Sequence, residues 1–538
     1  MSANSWQNEQ QNERESGFPL GYAQHCFWFV ATALGDTANN QTGILIEGEL
    51  RTTVLEQAIN TLIQSHISLR TEILDYAPIQ RFRSGREFDL PLRDMSSLTT
   101  DEQELLIIQY ARQSLNTPFN LKSPPHVRAL LFRLASSKHL LFLCFPHIVA
   151  DGGAIHLFEQ QLWRLYAQKC EGKSMSPNAA EPMQIDQWVR HERDIHRRQG
   201  RQDRAFWRNH LMGHPYARFP DCYLNQHKLT GHEFTLPFPD DSYRQLNALA
   251  QQQKATLQMV FLALVAEAVY EMTGQLRFSL NTVLEGREQP GTETLMAPML
   301  RVMPVPINMC RITRQAANMN TETKITATLA LLEQIRQNIL RAYDHMECPW
   351  SLPVGVLAGQ RWHNSPKIYR LAIRAGSWLY HKIFRRARLY PHFLADFLFM
   401  EPRPPQSVFQ SMRQAVWQKK PHNVAISQPT ININILQDVF KTDIFKHGLF
   451  KASASDSQRP TLRLSHYWKS EHREQQTASG QGIASRWEND SINIYLTLSE
   501  EGKPIMQISC CCFNQAGISR FTGLLKAKLA SLALITTQ

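Results

Sequence analysis

Residues 139–153 read HLLFLCFPHIVADGG, an apolar strand-like run that ends in His147, Asp151 and a glycine pair. A histidine released from a strand end can serve as a general base, a metal ligand or a hydrogen-bonded core residue. Neutral imidazole titrates near physiological pH, so it can accept a proton from an attacking amine or alcohol. A metal site would need two or three further ligands, and neither HExxH nor CxxC spacing lies nearby. A serine nucleophile would need a GxSxG elbow, which is absent. Asp151 can fix the loop through an ion pair rather than touch substrate, and Gly152 and Gly153 leave room for a substrate to approach the backbone. His156, on the segment that follows, is read as structural. On chemistry alone a lone histidine on an apolar strand is more often a core residue than a base, and both readings stand.

These residues need a strand before them and a helix after them. The strand is HLLFLCF (139–145), preceded by HVRALLFRL (126–134), and the helix is AIHLFEQQLWRLYAQ (154–168). Upstream, TGILIEGEL (42–50) reads as a strand, and 52–66 as a helix with Leu55, Ile59 and Leu62 on one face. Residues 171–182, rich in Gly, Ser and Pro, read as a connection. The second half repeats the mixture. Residues 256–274 form a predicted helix stopped by Gly274, 276–283 and 429–436 are strands, and 321–345 is a long helix. Segments 491–499 and 504–513 read as a late hairpin, and 517–533 as a closing helix. Strands mixed with helices and no short repeat indicate an α/β or α+β protein.

The 538 residues are enough for more than one lobe, and 43% hydrophobic with 20% charged residues is ordinary globular material. The polar leader (1–16) lacks the apolar core of a secretory signal. The apolar stretch LQMVFLALVAEAVY is too short to span a bilayer and contains Glu267. A cytoplasmic protein is expected, with its nine cysteines reduced; the consecutive Cys510, Cys511 and Cys512 alternate faces of a strand and are poorly placed to share a metal. A net charge of +11 favours an anionic partner without naming it. Zinc-finger, helix-turn-helix and aromatic RNA-binding patterns are absent, so nucleic acid is not expected. Residues 361–388 carry eight Lys or Arg and no acidic residue, interleaved with Ile368, Trp378, Leu379, Ile383 and other apolar side chains. Such a basic amphipathic segment suits an anionic membrane or an acidic partner. A solvated helix packed on its own lobe is the plainer reading, and Gly376 weakens the helix.

HIVADG resembles the HxxxDG motif of the condensation-domain superfamily, which includes condensation domains of nonribosomal peptide synthetases, carrier-dependent acyltransferases and relatives of chloramphenicol acetyltransferase. Further stretches match in order: PLGYAQHCFWF (19–29) is similar to PLSxAQxxLWF, and 55–73 to the helix ending RHxxLRT. Residues 257–309 resemble the helix, strand and GR segment before a GxFxN loop, and CPWSL (348–352) is similar to PFExL. The matches run from roughly residue 17 to 530. The resemblance implies a mixed α/β fold of two chloramphenicol-acetyltransferase-like lobes set in a V around a tunnel. The expected division is a disordered leader (1–16), a lobe carrying HxxxDG (17–180) and a second lobe (181–538) with a basic insertion near 361–420.

By motif position the resemblance makes His147 the catalytic histidine. Asp151 becomes a structural partner of Arg287, and Gly152 keeps the passage open. Pro146, Gly153, Arg301 and Asn434 are candidate channel residues. Two departures stand out: Pro146 replaces the first histidine of HHxxxDG, and Ala297 and Arg301 replace the Gly and Asn of GxFxN. The implied enzyme is a free-standing, monomeric condensation catalyst with no bound cofactor or metal. It would transfer an acyl, aminoacyl or polyketide chain from a carrier-protein phosphopantetheine thioester to an amine or hydroxyl. Alternatives are an acyl-CoA-dependent O-acyltransferase and a catalytically inert carrier-binding relative. Because carrier proteins are acidic, the basic segment is expected to steer them in.

Overall fold

The computed structural model describes residues 16–34, 38–84, 87–172, 183–217, 219, 232–237, 240–310, 312, 321–359, 367–384, 430–435, 462–466, 491–498, 504–510 and 515–536. The first half opens with β1 (Phe18–Pro19), α1 (Tyr22–Phe29), β2 (Asn39–Glu47) and α2 (Thr52–Ser65). It continues through β3 (Thr71–Ile73), β4 (Ile79–Phe82), β5 (Leu92–Asp94) and α3 (Thr100–Asn116) to β6 (Arg128–Ala135), β7 (Lys138–Pro146) and α4 (Gly152–Cys170). The second half holds α5 (Ile185–His210), β8 (His232–Pro237), α6 (Asp240–Gln252), α7 (Leu257–Thr273), β9 (Arg277–Leu284) and β10 (Arg301–Asn308). After these come α8 (Thr321–Tyr343), α9 (Ser351–Gly359), α10 (Lys367–Ile383), β11 (Thr430–Ile435), β12 (Arg463–His466), β13 (Ser491–Leu498), β14 (Pro504–Cys510) and α11 (Gln515–Thr536).

Two main sheets result, in the orders β12-β2-β7-β6-β5 and β10-β9-β11-β13-β14-β8, with a small sheet β1-β4-β3. The unbroken apolar run of β7 follows from its place between β2 and β6, covered on both faces. Period-two alternation divides it between two cores. Leu141, Leu143 and Phe145 join Leu55, Ile59 and Leu62 of α2 and Phe158 and Leu162 of α4. Leu140, Phe142 and Cys144 pack with Ile107 and Ala111 of α3. Each helix presents its i, i+3, i+4 face to the sheet, which is why α2 was legible from spacing alone.

Helix ends follow local chemistry. Thr99 caps α3 through a capping box with Glu102. Thr256 accepts from the Met259 amide at the start of α7, and Gly274, at φ 66°, closes it in the left-handed conformation. The late hairpin is β13 with β14, antiparallel from Ile492↔Cys510 to Leu498↔Pro504; Cys511 and Cys512 lie outside the described residues. Along the chain the two sheets are not cleanly separated. Strand β12, from the C-terminal half, pairs antiparallel with β2 and becomes an edge of the first sheet.

Candidate active site

The site begins where β7 stops. The His147 amide donates to the Ala38 carbonyl (2.8 Å), so β2 guides the chain one residue past the strand. Strand nitrogens alternate sides, so the nitrogen of Pro146 faces β6, whose pairing with β7 ends at Arg128↔Cys144. Proline therefore costs no ladder hydrogen bond there. The Pro146 carbonyl accepts from the amides of Val149 (2.9 Å) and Ala150 (3.2 Å), turning the chain back toward α4. Asn40 holds the turn by donating to the Ala150 carbonyl (3.0 Å), and Gln24 donates to the Ile148 carbonyl (3.2 Å).

The turn sets the His147 ring against Phe27 of α1, stacked with centroids 4.0 Å apart and planes at 17°. Nδ1 is buried with no hydrogen-bond partner among the described residues. Burial lowers the pKa of His147 below the ordinary histidine value, while the charge of Asp151 pulls the other way. The ring is therefore neutral at physiological pH, the state a general base requires.

Asp151 has a different task. It is 3% exposed and caps α4, with Oδ1 accepting from the Ala154 amide (2.8 Å). The same oxygen accepts from Arg287 Nη2 at 3.0 Å. Oδ2 accepts from the amides of Met299 (2.7 Å) and Leu300 (2.9 Å). With both oxygens engaged, the carboxylate is committed to structure. Arg287 also donates to the carbonyls of Thr292 (2.8 Å), Leu295 (2.7 Å) and Ala297 (3.0 Å). The pair thus ties the loop after β7 to the segment between β9 and β10.

The two glycines after Asp151 differ. A Cβ on Gly152 would meet nothing within 4 Å, so the space beside it is open. A Cβ on Gly153 would lie 2.8 Å from Arg287 Nε, so the absence of a side chain there lets that guanidinium pack closely against the start of α4. Gly286, just before Arg287, has φ +70°, and a Cβ there would approach the Met299 carbonyl oxygen to 1.9 Å. Only glycine lets the two backbones meet where Asp151 needs the Met299 amide.

Arg301 begins β10, 8% exposed, and donates from Nη1 to the Met346 carbonyl (2.6 Å) while Nη2 lies 3.5 Å from Glu347 Oε2. It lines a pocket with Tyr22, Trp188, Glu192, Glu347 and Trp350. Loss of water pushes the Glu192 carboxyl up to about 7, against the pull of Arg193 and of the Tyr22 amide that donates to it (2.8 Å). Asn434 lies on β11, in register with Tyr495 of β13. Its backbone is in the second sheet, next to the strand that leads to Arg287. Sequence reasoning missed Phe27, Gly286 and Glu192; the first lies inside the quoted PLGYAQHCFWF match, but nothing there says that its ring stacks on the histidine. Among the described residues no group of three His, Cys, Asp or Glu side chains could hold a metal.

The two mixed sheets with their packed helices form a chloramphenicol-acetyltransferase-like fold, and solved structures share it. The SgcC5 protein from Streptomyces globisporus superposes with a TM-score of 0.63 at 15% identity, covering 96% of this chain and 98% of that one. The X-domain from teicoplanin biosynthesis gives 0.63 at 15% identity (98% and 96% covered). The first condensation domain of the CDA synthetase gives 0.58 at 16% identity, with 96% of each chain covered. The model of the condensation-domain family matches residues 14–366, and the chain belongs to that family. The family match stops at 366, short of the expected 530. Among curated relatives, one of the linear gramicidin synthase proteins of Brevibacillus parabrevis is 27% identical over 65% of this chain. The isonitrile lipopeptide synthase of Mycobacterium tuberculosis is 26% identical, also over 65%. The chain spans only 4% and 14% of the lengths of these two proteins.

Proposed function

We propose that the chain catalyses condensation-type acyl transfer, moving an acyl or aminoacyl group from a phosphopantetheine thioester to an amine or hydroxyl. The observation that carries this reading is the division of labour at the turn. Asp151 is saturated by four donors, while His147 keeps a neutral ring with Nδ1 unpartnered among the described residues. The acceptor nitrogen or oxygen attacks the thioester carbonyl as His147 takes its proton. Collapse of the tetrahedral intermediate breaks the carbon–sulfur bond, and the proton passes to the departing thiolate. Because the thioester is already activated, alignment and one managed proton suffice; general-base catalysis contributes about 10²- to 10⁴-fold.

The donor we favour is carried on an acidic carrier protein, which the net charge of +11 would attract. One structural neighbour, the starter condensation domain of rhizomide synthetase, was solved as a mutant with C8-CoA, so free CoA thioesters belong in the assay as a second donor arm. The test measures product from carrier-bound and CoA-bound acyl donors with an amine and an alcohol acceptor. His147→Ala is expected to lose at least a hundredfold in turnover while remaining folded. Near wild-type turnover in that variant would sink the mechanism.

A further inference from the structure

The basic segment that the sequence singled out becomes, over its described part, a single helix, α10, with Gly376 inside it. One face is seated on the site helix α1. Tyr380 Oη lies 2.9 Å from His25 Nε2, and the two rings stack at 6.0 Å. Tyr380 also meets Phe29 edge-on, and Phe384 meets Trp28 edge-on, both at 6.3 Å. Ser377, one turn before Tyr380, is buried as well.

The other face points outward and is apolar. Trp378 is 60% exposed, Leu379 53% and Ile383 64%, at positions that share one side of a helix. Lys382 sits within this stripe, its ammonium 4.6 Å from the Trp378 ring centroid. The helix also carries Lys367, Arg370 and Arg374 and no acidic residue. Three large apolar side chains held in water by a helix anchored on its opposite side are costly unless something covers them.

We propose that α10 is a membrane-surface docking element, laying Trp378, Leu379 and Ile383 into the interface of an anionic lipid leaflet. The position of Lys382 favours lipid over protein. Lysine is depleted from the cores of protein interfaces, whereas at a bilayer its chain lies along the apolar stripe while the ammonium reaches back to the phosphates. Tryptophan prefers the headgroup boundary, where its ring is amphipathic. Each lysine or arginine near an anionic leaflet adds roughly fivefold in affinity, and the +11 charge of the chain adds long-range attraction. No single helix among the described residues is long and apolar enough to cross a membrane, so the element lies on the surface rather than spanning it. The seat on α1 gives the docking a consequence, because Phe27, which stacks on His147, belongs to the same helix. The bilayer would then lie beside the helix that lines the site, within reach of a lipid-borne acyl chain or acceptor.

The experiment is flotation of the full chain with two vesicle types, phosphatidylcholine alone and an equal mixture of phosphatidylcholine and phosphatidylglycerol. Mass measurement in solution and pull-down with an acidic acyl carrier protein run in parallel. The full chain is expected to float with the anionic vesicles, less so as salt is raised, and not with the neutral ones. Trp378→Ala combined with Ile383→Ala is expected to lower binding at least tenfold, and Lys382→Glu to lower it several-fold while leaving the apolar stripe intact. An unchanged melting temperature in both variants shows that the Tyr380 seat survives. Equal binding to neutral vesicles, or no vesicle binding at all, overturns the proposal. So does a stripe-dependent dimer or a stripe-dependent complex with the carrier in place of vesicle binding. The outcome does not depend on the acyl-transfer reading, which is tested at His147 with soluble donors.

Discussion

Asp151→Ala tests the brace directly, because every interaction it removes is known. The carboxylate receives hydrogen bonds from the amides of Ala154, Met299 and Leu300 and from Arg287, at 2.7–3.0 Å, and is almost wholly buried. Leaving the largely buried Arg287, its side chain 11% exposed, without its carboxylate costs about 3–5 kcal/mol at the upper end. Losing the cap on α4 costs about 1 kcal/mol, and each buried amide left without an acceptor about 1–3 kcal/mol. These terms overlap, since water entering the vacated space would satisfy some of the donors. The net expectation is about 4–6 kcal/mol, a large share of the roughly 5–15 kcal/mol that holds a folded protein together. Asp151→Asn keeps the cap and the shape but offers one acceptor oxygen where two are used. Its cost should fall between alanine and wild type, about 2–4 kcal/mol. Urea unfolding of both variants reads these values. A second arm combines Asp151→Ala with Arg287→Leu, where the two costs should fall short of additivity by at least about 1.5 kcal/mol. An Asp151→Ala protein within about 1 kcal/mol of wild type, or additivity within about 0.5 kcal/mol, would refute the brace.

The glycine pair offers a contrast one residue apart. Gly152→Ala opens onto empty space and should leave stability within about 1 kcal/mol, whereas Gly153→Ala drives a methyl group onto an Arg287 pinned by four hydrogen bonds and should cost about 1–3 kcal/mol; equal melting temperatures would contradict this. Phe27→Ala admits water to the His147 ring, so the acid limb of the pH–rate profile, below 6.5 in the wild type, should move to higher pH; superimposed profiles would show that the stack does not set the pKa. Acid should weaken the fold, because His25, His66 and His126 are buried with lowered pKa values, that of His126 pushed down to about 4. The unfolded chain binds protons on these groups first, so unfolding free energy falls as pH drops from about 6.5 toward 4, by about 3 kcal/mol for His126 alone. Glu192, raised from 4.5 to about 7, works in the opposite sense: its contribution is full below 4.5 and is lost as pH rises to 7. His126→Gln should flatten the acid slope, and an unchanged slope would remove His126 as its source.

Helix α2 and strand β7 were legible because a single period governs each: 3.6 residues where one face is buried, and an unbroken apolar run where both are. Gly274 announced the end of α7 because a left-handed cap has one preferred residue. Helix α5 was missed. Over its 26 residues charged side chains outnumber apolar ones, and the buried face mixes Ile185, Trp188, Val189, Ile195 and Trp207 with Asp186, Arg193 and Asp203, so no clean apolar stripe marks it. At the site, His147, Asp151 and Arg287 were marked by their motifs, yet the Met299 and Leu300 amides that complete the brace carry no side-chain signature at all. Gly153 is ambiguous for a related reason: glycine reports a close approach without naming what approaches, and the group that lies beside it is Arg287.

Pro146 shows how placement changes the meaning of a departure. A histidine replaced by proline at a motif position suggests altered chemistry, because proline removes a donor and restricts its neighbour. In the folded chain residue 146 is buried at the end of β7, its nitrogen facing a side where β6 has stopped pairing, and its carbonyl accepting the Val149 and Ala150 amides. The substitution therefore leaves the path to His147 intact and takes nothing from the hydrogen-bonding of the turn. Arg301 is the departure with a chemical consequence. It places a guanidinium in a pocket with two carboxyls, beside the segment whose amides Asp151 holds. A difference in substrate between this chain and its relatives is therefore expected at Arg301 and Glu192 before it is expected at Pro146.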